Sequence, residues 1–451
     1  MRTLGFLLRV ACAYKARVLC NGVFVSGLDP RRLSREDAGY KAFFHLALAR
    51  IDREHRSVEC SILGTGLFRE KAVHVEGIGA VLLSGIPETA VRALGPVSEP
   101  STTRRDPQAA PWPAGGTAVP ADGGRGGGSG IDVRKVEAAV GRLFDDRGRR
   151  NPLRTRAVLV VHDGRIVCER YAPGFGPATR MLSWSMAKSV VSALVGILAG
   201  QGRIRIDEPA PVPEWADPRD PRHAITPSQL LRMSSGLAWT ETYGEQPVAD
   251  VNRMLYLEPD MARFAAGQPL ATAPGTAFLY SSGSTNILCR IMRGLFASRE
   301  EYLAFPHRAL FERIGFRDAA WGTDSSGTIV GSSYLFATAR DFARFGMLCL
   351  ADGVWQGGRI LPEGWMEWAT TPTPTDPNAE YGAGFWLNRD PIDTTRTRAY
   401  PQLPADFFYA NGHQGQMIGV IPSRKLVVVR LGMTWGSEWG REEFLAEVLE
   451  A

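Results

Sequence analysis

A serine hydroxyl attacks a carbonyl only when a neighbour can take its proton, and Ser185 has such a neighbour three residues on, in Lys188. In a helix, residues three apart share a face, so Trp184-Ser185-Met186-Ala187-Lys188-Ser189 would present hydroxyl and amine together. An amine acts as a base only when partly neutral, and burial and the positive end of a helix both push a lysine that way. Composition sharpens the pairing. Of the 52 basic residues only six are lysine (Lys15, Lys41, Lys71, Lys135, Lys188 and Lys425), leaving 46 arginines. Arginine does not give up its proton in proteins, whereas lysine can. Lys188 is the only one of the six with a serine three residues before it.

Such a pair still needs a group to protonate the leaving atom and donors to hold an oxyanion. Tyr280, in Pro274-Gly275-Thr276-Ala277-Phe278-Leu279-Tyr280-Ser281-Ser282-Gly283, follows a Pro-Gly turn and precedes a helix expected near Thr285. A phenol near an ammonium can have its pKa lowered, although a core tyrosine before a helix would carry the same local sequence. In Asn411-Gly412-His413-Gln414-Gly415-Gln416, two glycines around a polar pair let backbone N–H groups approach a ligand, with a satisfied sheet-edge histidine as the alternative for His413.

The elements that must position these residues are legible in outline. Val133–Phe144 has amphipathic helical spacing, and Arg156–Val161 and Arg165–Tyr171 flank Asp163-Gly164, a two-residue hairpin signal. Val190–Leu198 is apolar nearly all round, as in a buried helix. Thr226-Pro227 starts a further helix in a helix-rich middle, Gln416–Pro422 and Lys425–Met433 read as a last hairpin, and Arg441–Glu450 as a terminal helix. Helix and hairpin at the start, strands and helix at the end, predict an α+β fold: an antiparallel sheet flanked by terminal helices, with an all-helical insert. Ahead of it, residues 1–98 form an N-terminal α/β extension, with helical spacing over Ala38–Ile51 and strands over Ser57–Leu63 and Ala72–Leu83. Residues 99–130, rich in Pro and Gly, read as a linker, and 131–451 as the catalytic domain.

Composition removes several function classes. A net charge of +5 spread without a basic block gives no reason for nucleic acid. The six cysteines are scattered, the seven histidines show no metal-ligand spacing, and no P-loop is present, so neither metal nor organic cofactor is implied. Leu4–Ala13 is apolar but interrupted by Arg9 and too short to span a bilayer, which takes about 20 residues. It fits the start of a soluble helix in a cytoplasmic protein, or the stub of an envelope anchor. Oligomeric state is not written in the sequence.

Ser185-Met186-Ala187-Lys188, Tyr280-Ser281-Ser282 and His413-Gln414-Gly415 resemble, in order and setting, the three elements of the serine β-lactamase-like superfamily. The class C-like branch, with carboxylesterases, D-stereospecific peptidases and 6-aminohexanoate-dimer hydrolases, is the more similar. Leu231–Trp239, Tyr381–Trp386 and Ala337–Gly346 also resemble that family, and the likeness covers about residues 131–451. It implies Ser185 as acylated nucleophile, Lys188 as proton acceptor, and Tyr280 as base and then acid. His413 would replace the lysine of Lys-Thr-Gly, Gly415 would keep that motif's glycine, and the N–H groups of Ser185 and Gln416 would form the oxyanion hole. Ser282 replaces the asparagine of Tyr-x-Asn; the literal Tyr409-Ala410-Asn411 lies two residues before His413 and reads as strand. Lys-Thr-Gly and Ser-Asp-Asn are absent. The expected function is therefore hydrolysis of a small-molecule ester or linear amide. The alternatives are a β-lactamase or D-Ala-D-Ala peptidase, and a catalytically silent binding protein. Trp239, Tyr243 and Trp386 are candidate pocket residues by proximity to the motifs, each equally readable as core.

Overall fold

The computed structural model describes residues 2–39, 41–95, 112–113, 131–242, 248–317, 319–391, 395–436 and 438–451. The chain gathers into two units, one of Met1–Glu99, Arg205–Phe305 and Ala320–Phe336, the other of Pro100–Ile204, Pro306–Ala319 and Ala337–Ala451.

In the first unit, helix α1 (Arg2–Phe24) lies on a four-stranded antiparallel sheet of β1 (Ala47–Asp52), β2 (Ser57–Ile62), β3 (Leu67–Val75) and β4 (Gly79–Leu82), paired in that order. Small residues on the buried face of α1 (Ala11, Cys12, Ala13, Ala16 and Cys20) permit close approach to the strands. Two expectations are corrected here. Ala38–Ile51 is not one helix but a 3-10 turn over Ala42–Leu46 followed by β1, because Ala47 to Asp52 pairs residue by residue with β2. Ala72–Leu83 is not one strand. Gly77 and Gly79, with φ of 76° and 105°, reverse the chain so that Ala72 pairs with Leu82. The extension also shares its unit with the helical segments: the buried Arg17 guanidinium donates to Leu255 O and Thr323 O. The helical part includes Asp250–Leu257, Met261–Ala266 and Ser282–Arg293, with a Thr226/Gln229 capping box opening Pro227–Leu231.

The second unit is built on a six-stranded antiparallel sheet. Its elements are helix α2 (Val133–Leu143), the hairpin β5 (Thr155–His162) and β6 (Arg165–Tyr171), and helices α3 (Ala187–Gly200) and α4 (Ala339–Leu350). Strands β7 (Trp386–Leu387), β8 (Phe408–Gly412), β9 (Gln416–Ile421) and β10 (Leu426–Gly432) and helix α5 (Arg441–Leu449) follow. Sheet order is β7-β8-β9-β10-β5-β6, so the last long strand pairs with the first, Val428 opposite Val160. Val136, Val140, Val158, Val160, Val428, Phe444 and Leu445 share one core between the sheet and helices α2 and α5. Helix α4 covers the other face; a Cβ on Gly346 would stand 2.6 Å from Val427, so glycine sets how close that helix comes. This is the α+β arrangement expected.

Most of residues 99–130, expected from the sequence to be a linker, lie outside the described residues. Trp112 and Pro113 are the exception: the Trp112 indole donates to Gly164 O, Pro113 O accepts from Arg344 Nε, and the Arg344 guanidinium lies 4.7 Å over the Trp112 ring. All six cysteines are free thiols and buried.

Candidate functional site

Ser185 sits in a 3-10 turn over Trp184–Met186 that runs straight into α3. That turn places its Oγ 2.9 Å from Lys188 Nζ, within hydrogen-bond range. The lysine is 2 % exposed, while Ser185 is half-buried. A lysine is rarely this buried unless its amine is paired. Trp184, just before the serine, has φ of 47°, a left-handed value costly for a bulky side chain. It is held there by two contacts from the turn after β8. Its indole N–H donates to Gln414 Oε1, and its ring meets the edge of His413 at 5.5 Å between centroids.

Helix α3 is fastened from the side as well. Ser189 Oγ donates to Gly384 O and Ser192 Oγ to Ala383 O, so two buried hydroxyls tie the Lys188 helix to the Tyr381–Trp386 loop. Gly384, with φ of 88°, has no room for a side chain: a Cβ would lie 2.8 Å from Ser192 Cβ and 3.1 Å from Lys188 O. The family-like phrase at Tyr381–Trp386 therefore acts as a clamp on the nucleophile helix.

The turn His413–Gly415 is set against the serine by the same economy of small residues. A Cβ on Gly412 would stand 2.3 Å from Ser183 O, so only glycine lets the end of β8 come against the Ser185 turn. Gln414 takes φ of 64° and Gly415 83°, closing the three-residue connection to β9. The Gln416 side chain is spent on bracing: Nε2 donates to His413 O and Gly432 O, and Oε1 accepts from Gly432 N–H. What it has for a ligand is backbone only. Beneath lies Arg430, fully buried, whose guanidinium donates to Gln414 O, Gly415 O, Leu153 O, Thr155 Oγ1 and Thr434 Oγ1. Burial disfavours its charge, and a shell of oxygen acceptors offsets that cost.

Tyr280 and Ser282 belong to the first unit. Tyr280 is half-buried, two residues before the helix Ser282–Arg293, whose first turn is capped when Ser281 Oγ accepts from Ser284 N–H. Ser282 is completely buried, and both its N–H and its hydroxyl donate to the Glu241 carboxylate. The Trp239 indole donates to the same carboxylate. Trp239 also packs against the helix, where a Cβ on Gly283 would stand 2.9 Å from its ring.

The second unit thus brings together Ser185, Lys188, His413, Gly415 and Gln416, all expected from sequence. Of the three candidate pocket aromatics, Trp239 is 7 % exposed and committed to packing. Trp386 stacks with Tyr409 against the sheet core, and Tyr243 lies outside the described residues. Tyr409-Ala410-Asn411 is strand β8, as expected, with Asn411 Oδ1 accepting from Arg441. Four residues escaped the sequence reading: Trp184, Gln414, Arg430 and Glu241. An arginine inside the apolar run Leu426-Val-Val-Val-Arg430-Leu-Gly432 was a usable signal of a buried cation; nothing local marked Glu241. Among the described residues no cluster of His, Cys, Asp and Glu could hold a metal ion.

The comparisons with known proteins agree with this fold. A model of the Beta-lactamase family matches residues 140–449. A 6-aminohexanoate-dimer hydrolase of Paenarthrobacter ureafaciens is 30 % identical over 248 residues, 52 % of this chain and 62 % of that protein. Among solved structures, a family VIII carboxylesterase superposes with a TM-score of 0.53 at 17 % identity, covering 70 % of this chain and 96 % of that one. A penicillin-binding protein homolog from Caulobacter crescentus gives 0.54 at 17 % identity, covering 71 % and 98 %. At such identities these two likenesses speak for the fold alone.

Proposed function

Since the chain belongs to the Beta-lactamase family, we propose that it is a serine hydrolase that cleaves a small ester or linear amide through an acyl-enzyme on Ser185. The observation that carries the reading is the 2.9 Å contact between the buried Lys188 Nζ and Ser185 Oγ. With the amine neutral, that contact runs from hydroxyl to nitrogen, and Lys188 takes the proton as Oγ bonds to the substrate carbonyl carbon. The tetrahedral oxyanion is held by the backbone N–H groups of Ser185 and Gln416, a reading supported by Gly412, where a Cβ would stand 2.3 Å from Ser183 O and 2.8 Å from Gln416 Cβ. Collapse breaks the carbonyl bond to the leaving oxygen or nitrogen, which takes a proton from Tyr280. Water then cleaves the acyl-serine by the reverse sequence of proton transfers. Tyr280 receives this role from its place in the motif order, and His413 that of a polar contact to the substrate.

The choice of ester or linear amide over β-lactam rests on the third motif, which offers His413 where a lysine would supply a fixed positive charge for a carboxylate. The decisive experiment is covalent labelling of the intact chain with a fluorophosphonate, followed by a panel of short nitrophenyl esters, linear ω-amino amides, D-peptides and one chromogenic cephalosporin. Label is expected on Ser185, with ester or amide turnover well above cephalosporin turnover. An unlabelled native protein would remove the enzyme, and dominant cephalosporin turnover would replace this substrate class with penicillin-type substrates.

A further inference from the structure

Among the described residues eight large apolar side chains stand exposed, and six of them fall within the first 68 residues: Leu4, Leu46, Leu48, Leu63, Leu67 and Phe68, 37–62 % exposed. Contacts in the first unit gather them at one end of the sheet, around the β2–β3 turn. A Cβ on Gly5, beside Leu4, would lie 3.4 Å from the Phe68 ring, so the first turn of α1 abuts the β2–β3 turn. On the other side Leu63 N–H donates to Leu46 O, and a Cβ on Gly64 would lie 3.8 Å from Leu48. Leu63 and Phe68, at the two ends of the turn, hold φ of 50° and 53°. A bulky apolar residue occupies that left-handed region at a cost that Asn or Gly avoids, yet here it carries side chains out towards solvent. An apolar surface this concentrated is a contact surface, not ordinary scatter.

Charge indicates what it contacts. Residues 1–98 hold 14 basic and nine acidic residues, whereas the remaining 353 hold 38 of each. The chain's whole excess of +5 therefore belongs to this segment, which corrects the even spread expected from the sequence. Arg9, Arg50 and Arg69 stand exposed beside the apolar group, although Arg9 and Arg69 also reach Glu70 and Glu59. From Val10 onwards α1 turns inward, and no described helix is long and apolar enough to cross a membrane. Among the described residues of this face, a turn or two of helix and one hairpin tip are free to enter an apolar phase. That is the build of an interfacial contact: shallow apolar insertion with basic residues at the headgroup level.

We propose that this face, formed by the start of α1, β1 and the β2–β3 turn, docks the protein on the surface of an anionic phospholipid bilayer. The test is co-sedimentation of the intact chain with vesicles of phosphatidylcholine containing about one-third phosphatidylglycerol, and with phosphatidylcholine alone, at low and high salt. Binding to the anionic vesicles, weakened at least tenfold by high salt or by omitting phosphatidylglycerol, is expected. The double substitution Leu63→Asn/Leu67→Ser should lower the partition coefficient at least tenfold while unfolding temperature and ester turnover stay at parental values; both sites are exposed, and Asn is at ease at the Leu63 backbone angle. A second pair, Leu4→Ser/Leu48→Ser, guards against a local folding defect in the first and should act alike. Absence of binding to either vesicle overturns the proposal. So does a dimer in solution that both double substitutions dissolve, which would make the surface an interface between copies of this chain.

Discussion

The Ser185 turn and the Tyr280 loop, one in each unit, are secured in opposite ways. The serine turn is fixed by redundancy. A strained Trp184 is pinned by Gln414 and His413, glycine at 412 and 384 permits close backbone contact, Ser189 and Ser192 clamp the helix, and Arg430 gathers the carbonyls beneath. The segment around Ser282 depends heavily on one residue: three donors from Ser282 and Trp239 end on the Glu241 carboxylate. Where geometry must be accurate to a fraction of an ångström, many weak constraints hold a nucleophile better than one strong one. The difference predicts where single substitutions hurt chemistry and where they hurt only local order.

The largest effect belongs to the nucleophile. Ser185→Ala should lower ester turnover at least about 10³-fold and abolish fluorophosphonate labelling, with the unfolding temperature nearly unchanged because the turn does not need its hydroxyl. Lys188→Arg comes next. It keeps a cation three residues from the serine but removes a base, so kcat should fall about 10²-fold or more while circular dichroism stays native. Near-parental turnover in that variant would strip Lys188 of its role and leave its burial unexplained.

The legible parts of this molecule are those whose partners are close in sequence. Ser185 and Lys188 share one turn, Asp163-Gly164 closes β5 onto β6, and Val133–Leu143 shows its own amphipathic face. Ala38–Ile51 misled because Leu46-Ala-Leu-Ala-Arg50 satisfies helical and alternating spacing equally, and what decides is the pairing of Ala47–Asp52 with β2 across the turn that follows. The supports of the site were hidden for another reason, because their partners lie far away in sequence. Glu241 and Ser282 are 41 residues apart, and Trp184 and Gln414 are 230 apart. The first unit joins residues 1–99 to segments after residue 204, an association that no reading of consecutive stretches conveys.

The two units should also part company with pH. In the first, burial raises the Asp324 carboxyl to about 6, above its ordinary 3.8, despite donors from Met261, Ser326 and Thr328. Between those values the folded state holds more protons than the unfolded chain, so its contribution to stability falls as pH rises. In the second, burial and then Arg180 lower His307 from 6.5 to about 4. There the unfolded chain holds more protons, and stability rises with pH through that window. Each shift corresponds to roughly 3 kcal/mol. Acidification from 6.5 to 4 should thus raise hydrogen-exchange protection around Asp324 and lower it around His307, after correction for intrinsic rates. Asp324→Asn and His307→Gln should each flatten their own region's response; parallel responses in both regions would contradict the assignment.

The smallest effect is the one that bears most directly on the contrast. Ser282 N–H and the Trp239 indole both donate to Glu241 Oε2, and the Ser282 hydroxyl donates to Oε1. Glutamine can reproduce this almost completely: its carbonyl oxygen takes the two fixed N–H donors, and its amide donates to the Ser282 hydroxyl, which only has to rotate. What Glu241→Gln removes is charge at the N-terminal end of the Ser282–Arg293 helix, worth about 0.3–1 kcal/mol. Glu241→Ala removes all three acceptor contacts, about 1–3 kcal/mol for each buried donor that finds no other acceptor. If the carboxylate acts as a geometric anchor, the glutamine variant keeps kcat within about threefold and loses under about 1 kcal/mol in urea unfolding, while the alanine variant loses several times that. Equal losses in both variants would mean that the negative charge itself is needed, and the segment would then be held by electrostatics and not by hydrogen-bond geometry.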